Sequence, residues 1–245
     1  MAADAYLPVQ SEPAAGGAAP QRRRSRRPFE ISSLLSMLAA SGFAATFIAI
    51  ASEVVEGDTR SFDEWVLTAL RQPGDLSKPI GPAWLEQVMV DFTSLGGTAV
   101  LTLMTTLVAT YLFLSDRHRA AWLVVAAVTG GSVISTVLKF GYARPRPELV
   151  GHLTSFSSFS FPSGHSLVGT VAYLTLGALV SSVEPRPKVR TFVLGAAILV
   201  TLLIGLSRVY TGVHYPTDVL AGWSIGATWA LLCLGVARAT EGNES

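Results

Sequence analysis

The chain has 245 residues, a formal charge of +1, half its residues hydrophobic and only 14% charged. A soluble domain carries about 25% charge, so this deficit, with a mean hydropathy of +0.45, excludes an ordinary water-soluble globule. The balanced charge gives no reason to expect a nucleic-acid partner. The single cysteine, Cys233, forms neither an intramolecular disulfide nor a Cys-rich metal site and reads as a small apolar residue.

Residues 1–30, rich in Ala, Pro, Gly and Arg, read as a disordered basic tail. The tail contains Arg22, Arg23, Arg24, Arg26 and Arg27. Ser25-Arg26-Arg27-Pro28-Phe29 also resembles a twin-arginine export signal, although a plain orientation anchor accounts for the same arginines. Six apolar runs follow, near Ile31–Ser52, Leu95–Ser115, Ala120–Leu138, Ser166–Val183, Thr191–Leu206 and Val219–Ala237. A helix crosses a bilayer in roughly 20 residues. The expected fold class is an all-α membrane protein with six transmembrane helices in one domain over residues 31–238, and a short tail at 239–245.

Between the first two runs, Phe62, Trp65, Val66, Ala69 and Leu70 recur at helical spacing, as do Trp84, Leu85, Val88, Met89 and Phe92. Pro73-Gly74 and Gly81-Pro82 break the pattern. This predicts two short amphipathic helices at the membrane surface in the first extracytoplasmic loop.

Basic residues set the orientation. The tail arginines, Arg117, Arg119, Arg186, Lys188, Arg190 and Arg238 fall on one side, eleven of the 18 Lys and Arg in the chain. The positive-inside rule makes that side cytoplasmic, with both termini. The expected location is a plasma (inner) membrane.

Two loops on the opposite face carry the remaining polar chemistry. One runs from Lys139 through Arg144-Pro145-Arg146-Pro147 to Pro162-Ser163-Gly164-His165. The other runs from Ser207-Arg208 to His214 and Asp218. Lys139, Arg146 and Arg208 offer fixed charge and forked donors suited to phosphate oxygens. Ser163 is a candidate N-cap, and the free N–H groups of the following helix, open at Gly164, suit an anion. Such a cradle answers the charge that spreads over the equatorial oxygens during phosphoryl transfer. Asp218 follows His214 by one helical turn, so its carboxylate can take Nδ1–H and leave Nε2 to attack phosphorus. His165 can serve as acid and base.

The ordered motifs Lys-x6-Arg-Pro, Pro-Ser-Gly-His and Ser-Arg-x5-His-x3-Asp resemble the type-2 phosphatidic acid phosphatase superfamily, also called the lipid phosphate phosphatases, in its bacterial six-span membrane form. Lys139…Arg146-Pro147, Pro162–His165 and Ser207-Arg208…His214…Asp218 match in residue and spacing, and the likeness runs from about Ser94 to Ala237. The resemblance implies hydrolysis of a membrane lipid phosphate without a metal. It implies His214 as nucleophile, Asp218 as its orienter and His165 as acid/base, with Lys139, Arg146, Ser163, Gly164 and Arg208 as phosphate ligands. No cofactor is expected, since no carboxylate cluster suits a metal. The partners expected are the lipid substrate and the bilayer. Undecaprenyl pyrophosphate, phosphatidylglycerol phosphate and phosphatidic acid all suit the active face. A phosphotransferase passing phosphate to another lipid, a vanadium haloperoxidase and a non-catalytic lipid transporter are the rival readings. Arg144 reads as a rim charge, His152 as a loop residue, Ser207 as packing, and Tyr142 and Tyr210 as interfacial aromatics.

Overall fold

A computed structural model describes residues 27–154 and 158–242, with side chains placed over 34–154 and 158–240. The expected tail and export-signal stretch lie outside the described residues, except that the backbone is already helical from Arg27.

The described residues form α1 (Arg27–Glu56), α2 (Arg60–Ala69), β1 (Arg71–Gln72), β2 (Asp75–Pro79), α3 (Ala83–Leu95), α4 (Thr98–Leu114), α5 (His118–Tyr142), α6 (Gly164–Val183), α7 (Pro187–Tyr210) and α8 (Pro216–Gly242). Among them α1, α5, α6, α7 and α8 are each long and apolar enough to cross a bilayer. The pair α3 and α4, bent by 46°, passes the same test together and brings the number to six where the two cross as one span. The all-α membrane class read from the sequence is therefore the observed one.

The two short helices read in the first outer loop are α2 and α3; α3 packs on α7 and leads into α4 through Gly96-Gly97. A Cβ at Gly96 would stand 2.6 Å from Ile204 Cγ2 and 3.2 Å from His165 Cβ, so this bend brings bare backbone against the start of α6. Tyr173 donates to the Leu95 carbonyl at 3.0 Å, serving an acceptor at the end of α3.

The face of α2 turned into the protein carries an acid. Phe62 and Trp65 are 48% and 66% exposed, while Asp63 and Leu67 are fully buried. A short antiparallel hairpin, β1–β2, turns at Pro73-Gly74 where the sequence showed only a break. The structural reason is Arg71. Its guanidinium donates to the carbonyls of Leu70 and Tyr210, both at 3.1 Å, and of Gly151 at 3.3 Å. Tyr210 donates in turn to Ile80 O at 2.7 Å, so it fixes the hairpin to α7 and is no free interfacial aromatic.

The central helix is α6, packed by α5, α7 and α8. A Cβ at Gly222 would lie 2.8 Å from Ser163 O, and one at Gly226 would lie 2.7 Å from Leu167 O. These glycines let the α6 and α8 backbones touch, as small residues do between membrane helices. Helix α1 lies along α8, and its Phe47 stacks on Phe161 at 6.0 Å. Tyr142 meets Phe161 edge-on at 4.9 Å. Because successive spans alternate in direction, the ends of α5 and α7 and the starts of α6 and α8 share one end of the bundle.

Candidate active site

At that end a cavity of about 890 Å³ is lined by Lys139, Arg146, Gly164, His165, Arg208 and His214. It continues along Thr98, Leu101 and Thr102 of α4 and Val128, Ser132 and Thr136 of α5.

His214 sits in the turn between α7 and α8, 1% exposed. The turn depends on Gly212, at φ +77°, where a Cβ would stand 2.5 Å from both Arg71 Nη2 and Gly151 O. Pro216 opens α8 and sets Asp218 one turn after His214. The His214 Nδ1 to Asp218 Oδ2 distance is 3.3 Å. An ionised carboxylate only accepts, so the proton lies on Nδ1 and Nε2 keeps its lone pair. Arg146 Nη1 lies 3.0 Å from that Nε2. Burial, then the charges of Arg208, Arg146 and Lys139 and the neighbouring His165, hold the His214 imidazole well below its ordinary value of 6.5. The imidazole is therefore neutral at neutral pH.

The chain after α5 is irregular because Pro145 and Pro147 keep it extended beyond the left-handed Ala143. Ser160 fastens it, donating through Oγ to Pro145 O at 2.9 Å and through N–H to Arg144 O at 2.9 Å. Arg146 donates to Val213 O and Ser158 O at 2.6 and 2.7 Å. Lys139 donates to Phe159 O at 2.6 Å. Arg208, 3% exposed, has an Nε with no acceptor among the described residues. Gly164 leaves space beside Lys139, since a Cβ there would lie 3.1 Å from Ser135 Oγ and 3.4 Å from Lys139 Cε.

Ser163 caps α6, as its position before the helix suggested. It is fully buried, and its Oγ accepts from Ser166 N at 3.4 Å and Ser166 Oγ at 3.0 Å. Its N–H donates to Asp218 O at 2.9 Å. The hydroxyl oxygen caps α6 and the backbone ties that cap to α8.

Arg144 corrects the sequence reading most sharply. It is no rim charge. Its Nη1 donates to Asp218 Oδ1 at 2.7 Å and Thr217 Oγ1 at 2.9 Å, and its Nη2 to Asp63 Oδ2 at 2.8 Å. The Tyr215 ring lies 4.2 Å beneath its Cζ. Burial opposes its charge, yet Asp218 and Asp63 hold the guanidinium above its ordinary range. Asp63 was not singled out in the sequence. The available signal was an acid placed inside the apolar stripe of α2 between Phe62 and Trp65.

Ser207 pairs with Thr93 at 2.6 Å, as expected of a packing residue. His152 contacts Pro147 O at 2.6 Å inside its loop. Cys233 lies half-buried beside the Ala127–Leu167–Val171 cluster.

Comparison with known proteins places this geometry. The PAP2 superfamily model matches residues 119–240. Phosphatidylglycerophosphatase B of Bacillus subtilis is 33% identical over 193 residues, covering 77% of this chain and 90% of that protein. The chain belongs to the PAP2 superfamily. An undecaprenyl-diphosphatase of Sulfolobus acidocaldarius is 32% identical over 159 residues, 63% of this chain and 71% of that one. The crystal structure of a transmembrane PAP2-type phosphatidylglycerolphosphate phosphatase from Bacillus subtilis superimposes with a TM-score of 0.73 at 29% identity. It covers 80% of this chain and 94% of that one. The protein is thus a multi-pass PAP2 membrane phosphatase acting on lipid phosphate.

Proposed function

We propose that the chain hydrolyses a lipid phosphate or diphosphate through a phosphohistidine on His214, on the extracytoplasmic face of the plasma (inner) membrane. In this reading Lys139, Arg146, Arg208 and the N–H groups at Gly164 hold the phosphate oxygens. His214 Nε2 attacks phosphorus while its Nδ1–H stays on Asp218. The bond to the lipid oxygen breaks, and His165 gives that oxygen its proton. His165 then takes a proton from water, whose oxygen attacks the phosphohistidine and releases phosphate. The three cations supply the positive charge that a metal supplies in other phosphatases, and together they repel a divalent ion. No cofactor is assigned.

One observation carries the reading: His214, His165 and three cations line a single cavity that continues between α4 and α5. That continuation suits a lipid chain entering sideways. The eleven basic residues assigned to the other side support cytoplasmic termini. Residues 31–238 act as one catalytic unit. The substrate candidates are undecaprenyl pyrophosphate, phosphatidylglycerol phosphate and phosphatidic acid.

The test is phosphate release from each of the three lipids by purified protein in detergent, with His214→Ala alongside. At least one lipid should release phosphate without an added acceptor, and the variant should fall to background while still binding lipid. Activity surviving in H214A overturns the mechanism. Phosphate appearing only with a second lipid as acceptor makes the protein a transferase.

A further inference from the structure

Two fully buried carboxylates, Asp63 of α2 and Asp218 of α8, share one cation. Arg144 reaches each through a different terminal nitrogen, 2.8 Å to Asp63 and 2.7 Å to Asp218. Asp63 is held rigidly from the other side, accepting from Thr217 N at 3.1 Å and Thr217 Oγ1 at 2.7 Å. Thr217 is the residue before Asp218. Asp218 Oδ1 takes Arg144, while Oδ2 takes His214 Nδ1 and the Tyr215 N–H at 2.9 Å.

Geometry and charge then lead to the same conclusion. Arg144 occupies Oδ1 and fixes the carboxylate rotation, so that Oδ2 alone faces the imidazole. Yet a cation paired with Asp218 alone would cancel the negative charge His214 needs. When Nε2 forms its bond to phosphorus and Nδ1 keeps its proton, the ring becomes cationic. With Asp63 present the buried group holds two negative charges and one positive, so one net negative charge remains to face that ring. With Asp63 neutral, none would remain.

We propose that Asp63 is a positioning residue for phosphoryl transfer, acting through Arg144 so that Asp218 keeps both its orientation and its net charge toward His214. The reading rests on the phosphohistidine mechanism above. It also gives the cap outside the bundle a role, since α2 and its staple at Arg71 place Asp63 from a segment about 150 residues away from Asp218 in sequence.

The experiment compares wild type with Asp63→Asn, Asp63→Glu and Arg144→Lys in steady-state hydrolysis, and follows phosphoenzyme by acid quench with ³²P-labelled lipid. D63N should lower kcat and the rate of phosphoenzyme formation together, by about 10- to 100-fold, with KM within about threefold. D63E, which keeps the charge, should recover much of that loss. In D63N/R144Q, which removes both charges, kcat should fall no further than in D63N alone. D63N turning over at the wild-type rate overturns the inference. So does a loss in KM alone, or equal loss in D63N and D63E, which marks a merely structural contact. If D63N does not fold, R144K carries the same test: its kcat and phosphoenzyme rate must fall while KM holds, and wild-type rates overturn the proposal. His214→Ala separates the two layers. Hydrolysis by H214A ends the phosphohistidine reading itself, whereas an inactive H214A beside a fully active D63N ends only the role of Asp63.

Discussion

Replacing Arg208 with methionine asks whether this charge serves the fold or the chemistry. The residue is 3% exposed, its Nε has no acceptor among the described residues, and Lys139 and Arg146 line the same cavity. A buried donor without a partner costs about 1–3 kcal/mol, and the flexible thioether chain of methionine fills irregular space well. Arg208→Met is therefore expected to stabilise the protein by about 1–2 kcal/mol, an apparent Tm increase of roughly 2–8 °C for a chain of this size. In the proposed mechanism the same change removes donors that face the equatorial phosphoryl oxygens, where charge gathers. Loss of one such donor lowers kcat by about 10² to 10³. Thermal unfolding by intrinsic fluorescence in detergent, with phosphate release on the same samples, reads both quantities. A Tm that falls several degrees would show Arg208 to be a structural strut. Activity within a few-fold of wild type would remove it from the phosphate site.

Two further outcomes follow from burial and packing. Because His214 is held below its ordinary 6.5 in the folded chain, the unfolded chain takes up a proton there that the folded chain refuses. Stability is therefore unaffected above pH 6.5 and declines below it, by at most about 1.4 kcal/mol per pH unit for one proton. Melting from pH 7 to 5 should show a shallower decline in His214→Asn than in wild type, and parallel curves would refute the shift. Gly226→Val places a Cβ 2.7 Å from the Leu167 carbonyl, a backbone atom that cannot give way. It should cost about 1–3 kcal/mol and reduce activity by parting α6 from α8. Gly42→Val, with nothing within 4 Å, should melt as wild type does.

The membrane class was legible from the residues alone, because apolar runs of bilayer length leave helices as the spanning solution. The candidate polar residues were legible too, since charged and imidazole side chains recur in ordered motifs at the ends of those runs. His214 and Asp218 were legible as a pair because they stand one helical turn apart. Other relations were not local. The bend at Gly96-Gly97 is set by contact with Ile204 and His165, more than 60 residues away in the chain. Ser163 was legible as a helix cap, because a serine just before the start of α6 can accept from the first free N–H groups.

Arg144 and Asp63 show the limit most clearly. A charged side chain reads the same in a sequence whether water or a buried carboxylate surrounds it. Only the tertiary structure closes α2 over the start of α8, removes water from both acids and leaves one guanidinium between them. Periodicity reports which face of a helix is apolar. It carries no information on which distant charge that face will meet.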